Sequence, residues 1–291
     1  MRVTTAQLFA NASINVNQNR ERYMNAQEAL ITNKKVNRPS DDPVGAARIT
    51  GTRNQIGRFE QFQRNVGYAR NFATLMESAL SSVADDLTRA RELATDINGG
   101  TAATTDFQAA AAEIAGIFQS VLKSANARDD RRYIFAGYET LTPPFDGVGA
   151  YSGGTGQSID IEVTSANFVT INRGGDEVFK GPIDVFQVLT DLEAAIAAGD
   201  QTQISALIPQ VEDAIEQVVG ARSAIGAVTS AIDRAENANS EMNELMNKIL
   251  SDAEDVDIAK ATADFALMEQ VYQATLLVSN RVVQQNLLDY F

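Results

Sequence analysis

The sequence contains no cysteine and no histidine. Without cysteine the chain has no disulfide bond, no thiolate metal site and no thiol nucleophile. Without histidine it has neither a Ser-His-Asp triad nor an HExxH zinc site. Because these two residue types carry much of the known hydrolytic and metal chemistry, we expect no catalytic residues, no cofactor and no metal site.

Tryptophan is absent as well, aromatic residues make up 7% of the chain, and long apolar runs are lacking. A membrane-spanning helix needs roughly 18 consecutive apolar residues, so we expect no membrane insertion. The first residues, MRVTTAQLF, lack the basic stretch, apolar core and cleavage site of a secretory signal peptide. The 291 residues do have 44% hydrophobic content, which together with abundant alanine favours a core of closely packed helices.

Charge is distributed unevenly along the chain, whose net charge is -14. Residues 1–70 contain 11 Lys/Arg and 5 Asp/Glu, whereas residues 252–291 contain 2 and 7. The two ends are therefore electrostatically complementary. The basic end has a helical apolar pattern and no nucleic-acid motif, so we do not expect nucleic acid as a partner.

The N-terminal region has apolar residues at alternating spacings of three and four, which predicts a coiled-coil helix. Its single polar position, Asn19, either fixes the register of a partner helix or is a tolerated defect. The members of this frame are Phe9, Ala12, Val16, Asn19, Tyr23, Ala26 and Leu30.

A hinge is predicted after this helix. Asn33 can adopt the left-handed conformation that ends a helix, and Pro39 prevents continuation. The adjacent Asp41 and Asp42 could form a carboxylate pair for metal or acid-base chemistry. Capping explains them better, because Asp42 suits an N-cap and Pro43 the first helical position.

The middle of the chain is predicted to be helical on both sides of a β-rich insertion. One helix runs from Pro43 to about Ile97, and another from Thr104 or Thr105 to about Ala125, which together make an antiparallel hairpin. Residues 141–182 contain two alternating apolar patterns, at Ile159 to Val163 and Val169 to Ile171, and a turn at 172–175. The glycines of this region lack the sequence context of a phosphate-binding loop.

Helical periodicity returns at Asp184 and continues after Gly199. Pro209 should kink the last helix or mark its start. No proline or glycine follows in residues 252–291, so the helix is predicted to pass unbroken into a terminal arm on the order of 55 Å long. The arm's main apolar stripe is Ile258, Ala261, Phe265, Met268, Tyr272, Leu276, Ser279, Val283, Leu287 and Tyr290, and a second side carries Leu267, Val271, Val278 and Val282.

A wide apolar face on so long a helix indicates packing on two sides, and we predict that both chain ends form an assembly interface. Phe9, Val16, Asn19, Tyr23 and Leu30 belong to it at the N-terminus. Its C-terminal members are Ile258, Phe265, Met268, Tyr272, Leu276, Val283 and Leu287. The predicted fold is mainly α, a long antiparallel bundle or coiled coil formed by the two terminal regions, with a small β-rich inserted domain.

Four stretches of this sequence resemble the bacterial flagellin superfamily: MRVTT at the start, ITNKKVNRPSDDPVGAARI at 31–49, RRYIFAG at 131–137 and VVQQNLLDYF at the end. RRYIFAG followed by TPPF, and the ending LLDYF, are similar to the members that join hook and filament. One departure is Asn33, where family members commonly have glycine. Asparagine is the next-best residue at a left-handed cap, so the hinge is expected to survive.

The resemblance implies three structural parts. Residues 1–40 and 252–291 would form an inner, channel-lining layer of terminal helices. Residues 41–140 and 183–251 would form a middle bundle, and 141–182 a small outer domain. It further implies an extracellular location in the flagellum, with export in an unfolded state through the flagellar type III apparatus.

The function implied is structural: the chain would join the hook, through hook-associated protein 1, to the flagellin filament. Expected partners are copies of itself in a ring, hook-associated protein 1, flagellin and a flagellar export chaperone for the C-terminal arm. Filament flagellin itself and an unrelated coiled-coil adaptor remain alternatives. An enzyme is disfavoured, since the pairs Asp85–Asp86 and Asp129–Asp130 lie in Arg-flanked stretches that are predicted to be helical and solvated.

Overall fold

The computed structural model describes residues 5–99 and 104–288, which are mainly helical with four short strands. The predicted fold class is confirmed. The helices are α1 (Thr5–Thr32), α2 (Pro43–Gly99), α3 (Thr104–Ala125), α4 (Gly175–Phe179), α5 (Val185–Ala198), α6 (Gln201–Glu254) and α7 (Ile258–Leu288). The strands are β1 (Arg128–Asp129), β2 (Arg132–Tyr133), β3 (Asp160–Thr164) and β4 (Asn167–Thr170).

Aspartate side chains fix the starts of the C-terminal helices. The carboxylate of Asp184 accepts hydrogen bonds from the first backbone N–H groups of α5, and Gly199 ends that helix in the left-handed conformation at φ 67°. Asp200 Oδ1 accepts from the backbone N–H groups of Thr202 and Gln203, both at 3.1 Å. These contacts satisfy donors that a helix leaves unpaired at its N-terminus.

Two sequence predictions about the last helices require correction. Pro209 lies inside α6 and does not mark its start. The terminal arm is not one helix with α6. α6 ends at Glu254, residues 255–257 are not helical, and α7 starts at Ile258. Asp257 caps the new helix, accepting from the backbone N–H of Ala259 at 2.9 Å. A side-chain cap therefore interrupts the helix without any proline or glycine.

The chain divides into two compact units. The first contains residues 1–58 and 242–291, and the second contains residues 59–241. α2 and α6 each contribute to both units. The three-part division implied by the family resemblance stays a prediction.

In the second unit, α2 and α6 lie antiparallel and are linked by polar side chains along their length. Arg70 contacts Asp233 at 2.7 Å, and Asn98, near the other end of α2, donates to Ser205 at 2.9 Å. The core of this unit also draws on α3, α4, α5 and the loops between them. Its largest fully buried side chains are Phe135, Phe145, Phe179, Phe186, Met76, Leu80, Leu87, Ile114, Ile134, Leu189, Leu192 and Ile196.

Five phenylalanines of this core form a connected aromatic cluster. The ring centroid of Phe145 lies 5.3 Å from that of Phe179 and 5.0 Å from that of Phe186. The Phe118 ring meets Phe186 at 5.6 Å, and the Phe135 ring meets Phe179 at 5.2 Å. The aromatic cluster therefore joins α3, α4 and α5 with the loops between them.

The regular strands of the insertion, β3 and β4, form a β-hairpin with a bulge between Glu162 and Thr164, and α4 follows it within the insertion. The turn of the hairpin lies at residues 165–166, and the residues predicted as a turn, 172–175, form an irregular segment that ends at the start of α4. Asn65 of α2 donates to the backbone carbonyl of Glu162, and Asn239 of α6 to that of Val163, both at 2.7 Å. These amides satisfy carbonyl groups on one edge of the hairpin.

The two carboxylate pairs also differ from expectation. Asp129 belongs to β1 and Asp130 has a left-handed φ of 50°, so that stretch is a small β-hairpin and the prediction of a helix there is wrong. Asp85 is exposed on α2, as predicted. The neighbouring Asp86 is not fully solvated: within the described part of the chain its Oδ2 atom is buried and accepts no hydrogen bond.

Candidate assembly site

α1 and α7 pack against each other as an antiparallel pair in the first unit. Asn19 Nδ2 donates to Thr275 Oγ1 at 2.7 Å. Further along α1, the Tyr23 ring lies 5.4 Å from Phe265 and 5.8 Å from Tyr272. The polar position predicted in the N-terminal frame thus pairs with a polar residue of α7, and the aromatic residues of both frames meet.

The heptad frame predicted for the N-terminus and most of the stripe predicted for the C-terminus form the contacting faces, which we call the seam. Thr275 occupies the place predicted for Leu276. Each member of the seam is partly or fully buried. On α1 they are Ala12, Val16, Asn19, Tyr23, Ala26 and Leu30, and on α7 they are Ala261, Phe265, Met268, Tyr272, Thr275 and Ser279. Seven of the predicted interface residues therefore lie in a contact within one chain.

Other predicted interface residues are more exposed. Phe9 and Leu276 lie at a shallow depression beside Val16, with 40% and 42% of their surfaces exposed. Ile258, at the start of α7, is 61% exposed. Val283 and Leu287 belong to α7, but their side chains lie outside the described residues.

α7 has a second apolar face away from the seam. Leu267 is 52% exposed and Val278 is 62% exposed, with Val271 and Ala274 between them at spacings of four, three and four. This spacing is again typical of a coiled-coil seam. On α1 the exposed Ile31 adds to the uncovered apolar surface. Pairing within one chain therefore covers only part of the apolar surface of these helices.

Next to the helix pair, the segments 33–35 and 254–256 run antiparallel and form what we call the clasp. The backbone N–H of Lys35 donates to the Glu254 carbonyl at 2.8 Å, and that of Val256 donates to the Asn33 carbonyl at 3.0 Å. Lys34 and Asp255 are paired as an isolated antiparallel bridge. The clasp thus ties the segment after α1 to the segment that links α6 with α7.

Glu254 is the buried centre of the clasp, with 4% of its surface exposed. Its Oε1 atom accepts from Lys34 Nζ and, at 2.5 Å, from Arg53 Nη2 of α2. Burial alone would raise the pKa of the Glu254 carboxyl, but the hydrogen bonds and charges of Lys34 and Arg53 outweigh it and lower the pKa. The carboxylate is therefore held ionised between two cations.

The predicted hinge residues occupy the segment between α1 and α2. Asn33 adopts a left-handed φ of 56° directly after α1. Asp42 Oδ1 accepts from the backbone N–H groups of Val44 at 3.1 Å and Gly45 at 2.9 Å, while Pro43 is the first residue of α2. Asp41 instead closes the preceding turn, where its Oδ2 atom accepts from the backbone N–H of Arg38 at 2.8 Å.

Sequence reasoning missed Glu254, Arg53 and Lys34 as interacting residues. The signal that could have found them was the opposite charge of the two chain ends. The charge pattern alone does not show which residues form ion pairs, because Arg53 and Glu254 are 201 residues apart in the sequence.

Among the described residues, no group of acidic side chains is arranged to hold a metal ion. The helices of that same part of the chain contain no apolar stretch suited to crossing a membrane.

Both ends of the chain match models of a known protein family. Residues 3–140 match the bacterial flagellin N-terminal helical region. Residues 208–291 match the bacterial flagellin C-terminal helical region. The matched segments include the clasp and both helices of the seam.

Three relatives cover most of the chain. Flagellar hook-associated protein 3 of Escherichia coli (strain K12) is 25% identical along an alignment of 301 positions, which covers 94% of this chain and 95% of that protein. Flagellin of Bacillus subtilis (strain 168) is 27% identical, over 88% of this chain and 89% of that protein. The crystal structure of the flagellar junction protein FlgL from Legionella pneumophila aligns with a TM-score of 0.60 at 18% identity, over 71% of this chain and 99% of that one, which supports the fold.

Proposed function

This chain belongs to the bacterial flagellin family, and from this premise we propose that it joins the flagellar hook, through hook-associated protein 1, to the flagellin filament. The observation that carries the proposal is the match to hook-associated protein 3 of Escherichia coli along 94% of the chain. On this proposal the chain is an extracellular structural component and not an enzyme. Its partners are hook-associated protein 1, flagellin and further copies of itself in a ring.

Filament flagellin is the second candidate, and the relation to flagellin of Bacillus subtilis favours it. The two functions predict different deletion phenotypes. A strain without the junction protein should build hooks and secrete unattached flagellin into the medium, because the hook then lacks the subunits on which the filament assembles. Fractionating flagellin between cells and medium measures this. Attached filaments in the deletion strain would contradict the junction role. If the deletion removed only the filament subunit, with no flagellin in the cell fraction or the medium, the filament role would be favoured.

The exposed apolar surfaces support an assembly mechanism in which folding and binding are coupled. In the second unit the core side chains are buried completely, whereas the seam residues are mostly only half buried and Leu267 and Val278 are exposed. A helix pair with so little burial gains too little free energy to offset the entropy of ordering its backbone. We propose that neighbouring copies supply the missing contacts when α1 and α7 line the channel.

Hydrogen exchange on the free monomer tests this coupling. We expect the amides of Thr5–Thr32 and Ile258–Leu288 to exchange fast, because the helices lack their neighbours, and those of residues 59–241 to be protected. Mass spectrometry on peptic fragments resolves the three regions. Full protection of both terminal helices in a dilute monomer would contradict coupled folding.

The apolar residues of this exposed face would also make a chaperone useful during export. An unfolded chain passing through the type III apparatus presents the apolar stripes of α7 to water. We propose that an export chaperone covers this C-terminal arm until secretion. Residues 1–40 and 252–291 then form the inner layer after export, residues 41–140 and 183–251 the middle bundle, and residues 141–182 the outer part.

A further inference from the structure

The apolar residues of the seam do not fix its register. Apolar residues on α1 and α7 alternate at spacings of three and four along both helices. Sliding one helix past the other by seven residues, about 10.5 Å, brings apolar residues opposite apolar residues again. Features that do not repeat every seven residues must therefore set the register.

Two such features are present. One is the hydrogen bond from Asn19 to Thr275 inside the seam. The other is the clasp, whose two segments are residues 33–35, directly after α1, and residues 254–256, which end two residues before α7 starts. Three residues separate α6 from α7, and even fully extended they span only about 10 to 11 Å. A slip by one heptad would therefore require the clasp to open.

We propose that Glu254 is a positioning residue that holds the clasp closed and thereby sets the register of α1 against α7. Its carboxylate joins three segments, because Lys34 comes from the link after α1, Arg53 from α2 and Glu254 itself from the end of α6. Opening the clasp would separate Lys34 from the Glu254 carboxylate and leave Arg53 as its cationic partner, which is unfavourable while that carboxylate stays buried. The consequence of a fixed register for assembly rests on the proposed function, since a junction subunit must present both helices in one register.

The absence of cysteine allows a direct test in the full-length chain. One variant carries Asn19→Cys with Thr275→Cys, which reports the observed register. A second carries Asn19→Cys with Met268→Cys, which reports a slip by one heptad, since a disulfide needs Cα atoms within about 7 Å. Both lack the Asn19 amide, which leaves the clasp as the remaining polar determinant of register. Because the terminal helices of the free monomer are expected to be only partly ordered, each variant is oxidised at low protein concentration in sucrose, an osmolyte that favours burial of the seam. The ratio of the two intramolecular cross-link yields, quantified by gel mobility, then reports the register of the paired helices.

With Glu254 intact, we expect the 19/275 pair to cross-link at least about tenfold more than the 19/268 pair. Adding Glu254→Ala should bring the two yields close together. Glu254→Gln should give an intermediate ratio, because its amide oxygen still accepts from Lys34 and Arg53 but carries no charge.

Ala261→Gly is the matched control, since Ala261 is buried on α7 in the same unit and glycine lowers helix stability without removing a partner of Glu254. The cross-link ratio should survive this substitution. Three results would each overturn the proposal: an unchanged ratio in Glu254→Ala, an equal loss of ratio in Ala261→Gly, or no cross-linking of either pair with Glu254 intact. Neither hook nor flagellin enters the assay, so failure of the clasp and failure of the junction role are separate results.

Discussion

Phe265→Asp is expected to abolish incorporation of the chain at the hook while residues 59–241 stay folded. The Phe265 ring lies half buried against Tyr23 in the seam, and a carboxylate placed there loses hydration without gaining a partner. The seam would open, and with it the surface that we assign to neighbouring copies. Sedimentation of the purified variant with isolated hooks measures incorporation, and the thermal unfolding of residues 59–241 reports the remaining fold.

Gln270→Asp provides the matched control, because it adds the same charge to an exposed position of the same helix. We expect it to incorporate normally. Leu276→Asp separates the two roles of α7: this partly exposed side chain lies at the edge of the seam, so pairing with α1 should persist while incorporation falls. If Phe265→Asp incorporated normally, the seam would not be part of the assembly surface.

Phe179→Ala should destabilise the second unit by about 3 to 5 kcal/mol. Phe179 is fully buried, and its ring contacts Phe135, Phe145 and Phe186 with centroid distances of 5.2, 5.3 and 5.9 Å. Removing the ring leaves a cavity among side chains that already interlock. Urea unfolding should show a lower midpoint with an unchanged slope, since the surface exposed on unfolding stays nearly the same.

The comparison for this variant is Phe168→Ala. Phe168 is also in the second unit but 59% exposed on the hairpin, so its truncation should change the free energy of unfolding by no more than about 0.5 kcal/mol. Similar losses in the two variants would mean that the aromatic cluster does not carry the stability of this unit.

Local features of the sequence predicted most of the helical framework. The long periodic segments fall within α2, α3, α5 and α6, and the heptad frame of the N-terminus became the face of α1 that meets α7. The hinge also follows from local chemistry. Asn33 adopts the expected left-handed conformation, and Asp42 makes the hydrogen bonds of an N-cap. Such features depend on residues within one or two turns of each other, which a single sequence displays directly.

Short and non-local structure was harder to predict. The hairpin of β1 and β2 was missed because two-residue strands have no detectable period, and Asp129 was placed in a helix for that reason. The break before α7 was missed because only Asp257, one acidic residue among several, marks it. The same residues would be compatible with an unbroken helix if the clasp did not engage the backbone of Glu254 and Val256.

The sequence by itself determined that the chain is a helical member of the flagellin family with two apolar, oppositely charged ends and no cysteine or histidine chemistry. Only the tertiary structure decided how those ends meet: which faces of α1 and α7 pair, which apolar residues stay exposed, and that Glu254 lies buried between Lys34 and Arg53. Periodicity is a local property that many registers satisfy equally. The choice among them is made by contacts between residues more than 200 positions apart, which no local pattern encodes.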